Sequence, residues 1–125
     1  MNNYFGFAIS GSMFKEDCNL QVIHLEEDRA KQYIENSKET GSLKVCLNPS
    51  HAATISAMQK KYGIEVEIPE VAPRCELQPG DNLLVLQVSG LPRLDATRHE
   101  YTEEEIESAQ FSFISFSVNG LLKIR

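Results

Sequence analysis

Histidine is the side chain that titrates closest to neutral pH, and one of the three in this chain stands where a helix should begin. In CLNPSHAATISAMQKKYG (residues 46–63) an apolar run stops at Asn48-Pro49-Ser50, and the helical pattern opens on His51. A histidine in a first helical turn feels the positive end of the helix dipole, which lowers its pKa. Backbone amides beside it lack intrahelical partners and can hold a phosphate. A bound phosphate would raise the pKa again, so the imidazole would carry a proton only when an anionic ligand is present. That suits a general acid that protonates an oxygen leaving group on phosphorus. It equally suits a half-buried histidine that fills space and hydrogen-bonds a carbonyl. The residues by themselves leave both readings open.

Other candidates are spread along the chain. Arg93 and Arg98 flank LDAT in a polar loop that follows an apolar strand. Ligand sites in α/β sheets often form at such strand ends, and arginine can clamp a phosphate through two parallel hydrogen bonds. Ser10 and Gly11 end the first strand, where a small hydroxyl beside glycine allows close approach of a ligand. No GxSxG is present, so a hydrolase serine is not expected. The run EEEIE (103–107) reads as a solvated helix face. His24, His51 and His99 have no metal-ligand spacing, and Cys18, Cys46 and Cys75 form no CxxC, so no metal site is expected. The three thiols read as buried or half-buried free cysteines.

These residues need elements to position them. NYFGFAIS (3–10), LQVIHL (20–25), SLKVCL (42–47), IEVEIPEV (64–71), LLVLQVS (83–89) and FSFISFSV (111–118) read as strands, with 83–89 the most apolar and therefore central. Residues 26–41 read as a helix stopped by Gly41. A second helix should run from about His51 to Tyr62, with Asn48 or Ser50 as cap, Pro49 tolerated at the start and Gly63 as the stop. His51, Ile55, Met58 and Tyr62 share one stripe, which puts the histidine at the inner edge of the helix. PGDN (79–82) is a turn. Thr102 with Glu105 matches a capping box opening a third, short helix. Strands alternating with helices imply an α/β (α+β) fold: one mixed sheet of about five strands with flanking helices, in a single domain over 1–125.

The bulk numbers agree with a globular chain: 125 residues, 42% apolar and 24% charged. No window approaches the roughly 18 apolar residues of a membrane span, and the N-terminus lacks the basic start and cleavage site of a signal peptide. No membrane partner is expected, and the cytoplasm is the default location. The net charge of −6 argues against a nucleic-acid polymer as partner, which would need a broad basic face. It does not exclude a small anionic ligand.

Four segments occur in an order that carries a resemblance: FAISGSMF (7–14), SHAATISAMQKKYGIEV (50–66), PRCELQPGDNLLVLQVS (73–89) and PRLDATRHEYTEEEIE (92–107). Together they resemble the viral ring nucleases, small type III anti-CRISPR proteins of archaeal viruses and phages, with cellular relatives, and the resemblance extends over almost the whole chain. The resemblance implies a homodimer that binds cyclic tetra-adenylate across its interface, in host cytoplasm if viral, and cleaves it without metal or other cofactor. A ribose 2′-hydroxyl would attack the adjacent phosphorus and a histidine would protonate the leaving 5′-oxygen. The products would be linear di-adenylates ending in a cyclic phosphate. His51 is then the general acid and Arg93, in RLDAT, a phosphate ligand that stabilises transition-state charge. Ser10, Gly11, Ser50, Thr54 and Arg74 form the expected ligand-binding set. Arg98, Gln87 and Tyr101 are the candidates for base contacts.

The chain departs from the family pattern at two places. Ser50 replaces the glycine before the histidine. The glutamate of the family's RLxEG loop has no counterpart in register, where Ala96 falls; Asp95 or Glu100 could substitute, with Asp95 the expected catalytic carboxylate. Three functions therefore stay open: a ring nuclease, a sponge that sequesters a cyclic nucleotide without turnover, and an interaction protein that keeps only the fold.

Overall fold

The computed structural model describes residues 1–121, so the last four residues of the expected 1–125 domain lie outside the described residues. The order along the chain is β1 (Asn3–Gly6), β2 (Cys18–Leu25), α1 (Glu27–Glu39), β3 (Leu43–Val45), α2 (Ala52–Tyr62), β4 (Asn82–Ser89), α3 (Glu103–Ser108) and β5 (Gln110–Gly120). The strands form one mixed sheet in the order β2-β5-β4-β1-β3. β1 is parallel to both β3 and β4, whereas β5 runs antiparallel between β2 and β4. Four strands thus point one way and β5 alone returns. This is the expected single mixed sheet with flanking helices, and 83–89 is indeed its middle strand.

The alternation of β4 explains the layering. Leu84 and Leu86 face the helices with Phe5, Ala30, Ile34, Ile55, Met58 and Phe113. Leu83 and Val85 face the other side with Tyr4, Cys75, Leu77 and Val118, covered by the segments around Met13-Phe14 and Leu77. Those two segments meet in a parallel bridge at Phe14 and Leu77. Both faces of β4 are buried over Leu83–Leu86, which is why that stretch is continuous in apolar residues, and the strand emerges at Gln87–Ser89. The buried Asp81 carboxylate accepts from the Asn2 amide at 2.9 Å and the Gln78 amide at 3.0 Å, tying the start of β1 to the turn before β4.

The helix ends follow their local chemistry. Gly63 stops α2 at φ +66°, a left-handed conformation that costs glycine nothing. Thr102 and Glu105 make both halves of the capping box. At the other end of α3, Lys61 donates to the carbonyls of Ile106, Glu107 and Ala109 at 3.2, 2.9 and 2.7 Å. One cation from α2 thereby satisfies the acceptors that a short helix leaves open.

One expected strand is absent. Ile64 and Val66 are buried as the alternation predicts, but residues 64–71 pair with no strand, and the chain bends at Glu70 and Val71. The Gln59 side-chain amide takes the Val66 carbonyl at 3.0 Å, and the Lys38 ammonium takes that of Glu65. Acceptors that a sheet ladder would use are occupied by side chains. A groove of about 970 Å³ separates this segment from the outer edge of β3. The first strand is shorter than expected, ending at Gly6, and α2 starts at Ala52, one residue after His51. Among the described residues no helix is long and apolar enough to cross a membrane.

Candidate functional site

Because β1, β3 and β4 run parallel, their carboxyl ends lie at one edge of the sheet. Each end feeds a segment that the sequence singled out. Ser10 and Gly11 follow β1, Ser50, His51 and Thr54 follow β3, and Arg93 and Asp95 follow β4. This convergence at parallel strand ends is where α/β sheets commonly bind ligands.

His51 ends a tight turn, Pro49–His51, immediately before α2. Its ring is exposed to solvent on one side and packs edge-on against Phe7 on the other, with ring centroids 5.1 Å apart at 67°. The residue therefore lies at the inner edge of the helix start, held by an aromatic neighbour from the continuation of β1. The amides beside it are not free. Ser50 N donates to Asn48 Oδ1 at 2.9 Å, His51 N to the Asn48 carbonyl at 3.0 Å, and Ala52 N to Pro49 O. Asn48 is thus the cap, and the tight turn takes up the amides of Ser50, His51 and Ala52. An anion here would meet the imidazole and the exposed Ser50 side chain.

Ser10 opens another tight turn, Gly11–Met13, and its hydroxyl lies 2.9 Å from that of Ser12. Both are exposed. Thr54 is half-buried one turn into α2. Among the described residues no hydrogen bond joins His51 to Ser10, Arg93 or Asp95; the fold brings their segments to one edge without linking their side chains.

The loop between β4 and α3 is held by its own residues. The Asp95 carboxylate accepts from the Thr97 amide at 2.8 Å and from the Thr97 hydroxyl. These bonds hold its pKa below the usual carboxylate range, with the Arg98 charge adding to the effect. Asp95 is therefore an ionised group engaged in its own turn. Arg98 pairs with Glu105, the capping-box residue of α3. Tyr101 donates its hydroxyl to the Pro92 carbonyl at 2.9 Å. Arg98 and Tyr101, considered for base contacts, are thus engaged in fixing the loop. Arg93 stays exposed.

Arg74 is three-quarters exposed and lies 3.7 Å from Glu76, which also pairs with Lys15 at 3.2 Å. It belongs to the long return segment before β4. The neighbouring Cys75 belongs to the buried cluster under β1 and β4, against which Cys46, one residue past the end of β3, also packs.

A cavity of about 490 Å³ opens at this edge, lined by Phe7, Gln87, Ser89, Gln110 and Ser112 with Leu86 and Val88. Phe7 is shared between the cavity wall and the His51 contact. Gln87 was considered from sequence. Ser89, Gln110 and Ser112 were not, because their proximity depends on the antiparallel register that sets Ser89 opposite Gln110 and Gln87 opposite Ser112. The larger groove beside β3 holds none of the expected site residues. Among the described residues no cluster of three or more histidine, cysteine or carboxylate side chains is placed to hold a metal ion.

The fold and this edge define an α+β protein with a polar cavity at parallel strand ends. No protein-family model and no curated protein matches the chain. Among solved structures, B116 of Sulfolobus turreted icosahedral virus matches with a TM-score of 0.71 over 94% of this chain and 99% of that one, at 19% sequence identity. That likeness establishes a shared fold.

Proposed function

We propose that the protein is a metal-independent ring nuclease that binds cyclic tetra-adenylate across a homodimer interface and cleaves it to linear di-adenylate ending in a 2′,3′-cyclic phosphate. The observation that carries this reading is the convergence of the Ser10, His51 and Arg93 segments at the carboxyl ends of three parallel strands, beside a polar cavity that shares Phe7 with His51. The nucleophile lies in the substrate. A ribose 2′-oxygen forms a bond to phosphorus as the bond to the 5′-oxygen breaks, and His51 gives its proton to that leaving oxygen. Arg93 offsets charge on the phosphoryl oxygens. Most of the rate would come from holding the 2′-oxygen in line with the leaving oxygen. Removing the ligand would switch off type III CRISPR signalling. The shared fold with a viral protein supports a viral setting, in which the host cytoplasm is the place of action.

Self-association is supported by β2, an eight-residue edge strand without a single formal charge. Leu20, Val22 and Ile23 on it are 41%, 51% and 42% exposed. Monomeric proteins usually protect such edges with charge or proline. A two-fold dimer would present one His51 from each subunit to a ligand of matching symmetry.

A second reading is favoured by Asp95. Its carboxylate is engaged by Thr97, and Ala96 occupies the register of the family's glutamate. A protein without a free carboxylate there would bind the ring and sequester it. The deciding experiment incubates labelled cyclic tetra-adenylate, with EDTA, with wild type at low concentration and with His51→Ala. Multiple turnovers by wild type and none by the variant are expected. Protection of the ligand only up to the protein concentration identifies a sponge. Neither cleavage nor binding by wild type sinks both readings.

A further inference from the structure

β1 leaves the sheet before β4 does. The two strands pair in parallel from Asn3 with Asn82 to Gly6 with Val85, and β4 runs on to Ser89. The Asn82 amide donates to the Asn2 carbonyl at 3.0 Å, and the Asp81 carbonyl accepts from the Val118 amide of β5 at 3.0 Å. Backbone groups alternate sides along a strand. Those of Leu84, Leu86 and Val88 therefore face β1, and those of Leu83, Val85, Gln87 and Ser89 face β5. Among the described residues no backbone hydrogen bond from Phe7, Ala8 or Ile9 continues the β1 ladder. The Leu86 carbonyl and the Val88 amide thus open onto the gap that β1 leaves.

The cavity of about 490 Å³ lies at this gap. Half-buried Phe7 supplies an aromatic wall, and Leu86 and Val88 supply the strand edge. The Ser112 hydroxyl donates to Gln87 Oε1 at 3.4 Å, which leaves the Gln87 amide hydrogens to the cavity. None of the lining residues carries a charge. Such a lining suits a neutral planar ring and not a phosphate.

The order of the open backbone groups is selective. A carbonyl followed two residues on by an amide presents an acceptor beside a donor. The Watson–Crick edge of adenine presents the complement, the N6 amine beside the N1 acceptor. Hypoxanthine, guanine and uracil reverse that order and would set oxygen against the carbonyl and N–H against the amide. Cytosine keeps the order but has one ring instead of two to lay against Phe7.

We propose that this gap is an adenine subsite, in which the Leu86 carbonyl accepts from N6, the Val88 amide donates to N1 and Phe7 packs on the face of the ring. The proposal deepens the ring-nuclease reading and rests on it for the cyclic ligand; the base contact is tested separately. A base of the reversed order leaves both backbone groups facing like groups, away from water, and is rejected for that reason.

The test titrates the isotope-labelled whole chain with adenosine 5′-monophosphate and, separately, with the inosine and cytidine nucleotides, following the Val88 amide by NMR. Calorimetry then compares cyclic tetra-adenylate with its all-inosine counterpart. The adenine nucleotide should move the Val88 resonance, and the inosine nucleotide at the same concentration should not. The all-inosine ring should bind at least about tenfold more weakly. Val88→Pro removes the amide hydrogen where no ladder bond is lost; it should weaken binding of the adenine ring by about tenfold with native circular dichroism. Val88→Ala keeps the amide and should bind like wild type. Equal binding of the two rings, a folded Val88→Pro that binds like wild type, or a stronger response to the cytidine nucleotide overturns the subsite and leaves the ring-nuclease reading standing. A Val88 amide that no nucleotide moves overturns it as well. A Val88 response to the adenine nucleotide without binding of the ring keeps the subsite and sinks the ring-nuclease reading. Where Val88→Pro fails to fold, the paired adenine and inosine ligands decide.

Discussion

Replacing Lys61 with methionine keeps most of its apolar stem and removes the ammonium. In the native structure that ammonium serves three carbonyls at the end of α3, those of Ile106, Glu107 and Ala109. A hydrogen bond to a charged group contributes about 1.5–3 kcal/mol net, and a cation at a helix C-terminus up to about 2 kcal/mol. The three bonds share one ammonium and one desolvation cost, so they do not add. A loss of about 2–3 kcal/mol follows. At roughly 3 °C per kcal/mol for a chain of this size, the melting temperature should fall by about 6–9 °C. The assay is thermal and urea unfolding at one fixed protein concentration, because self-association would make the transition concentration-dependent. Lys60→Met, at the exposed neighbour, is the control and should shift stability by less than about 0.5 kcal/mol. A Lys61→Met variant as stable as its Lys60→Met control would refute the reasoning. It would mean that water satisfies the α3 carbonyls as well as the ammonium does. The consequence reaches the site, since Lys61 links the helix that follows His51 to the helix that anchors the Arg93 loop.

Further outcomes follow from other particular contacts. Glu105 is held down to about pKa 2, from 4.5, chiefly by Arg98 and then by the Thr102 amide. The unfolded chain therefore binds the proton more readily between those values, so the stability from this group is complete above about pH 5 and disappears as pH falls toward 2. Wild type and Glu105→Gln should differ in melting temperature by a constant amount above pH 5 and converge near pH 2; parallel curves down to pH 2 would remove the pairing as the cause. Gly63→Ala should destabilise by about 1 kcal/mol, because φ +66° strains any residue with a Cβ while the nearest obstacle, Lys31 Nζ at 3.5 Å, is an ordinary contact; unchanged urea unfolding would contradict it. His51→Ala should keep the fold, since the ring is exposed, and lose turnover of the cyclic ligand; a variant that unfolds in circular dichroism would instead make the Phe7 contact structural.

Much of the molecule was determined by the sequence alone. The short-range patterns fixed what depends on neighbouring residues: the continuous apolar run of β4, the helix stop at Gly63, and the Thr102–Glu105 box. Those are local, because backbone conformation and the capping of adjacent amides respond to residues within one turn. Position of His51 at a helix start was legible for the same reason. The strand expected at 64–71 was not, because alternation reports burial, and pairing depends on whether the carbonyls are free; Gln59 and Lys38 take them from elsewhere in the chain. Only the tertiary structure decided that Arg98 serves Glu105, that Asp95 serves Thr97, and that Ser89, Gln110 and Ser112 wall one cavity. Each of these depends on strand register or on the path of a long return segment, and sheet pairings between distant residues leave no periodic trace in either partner.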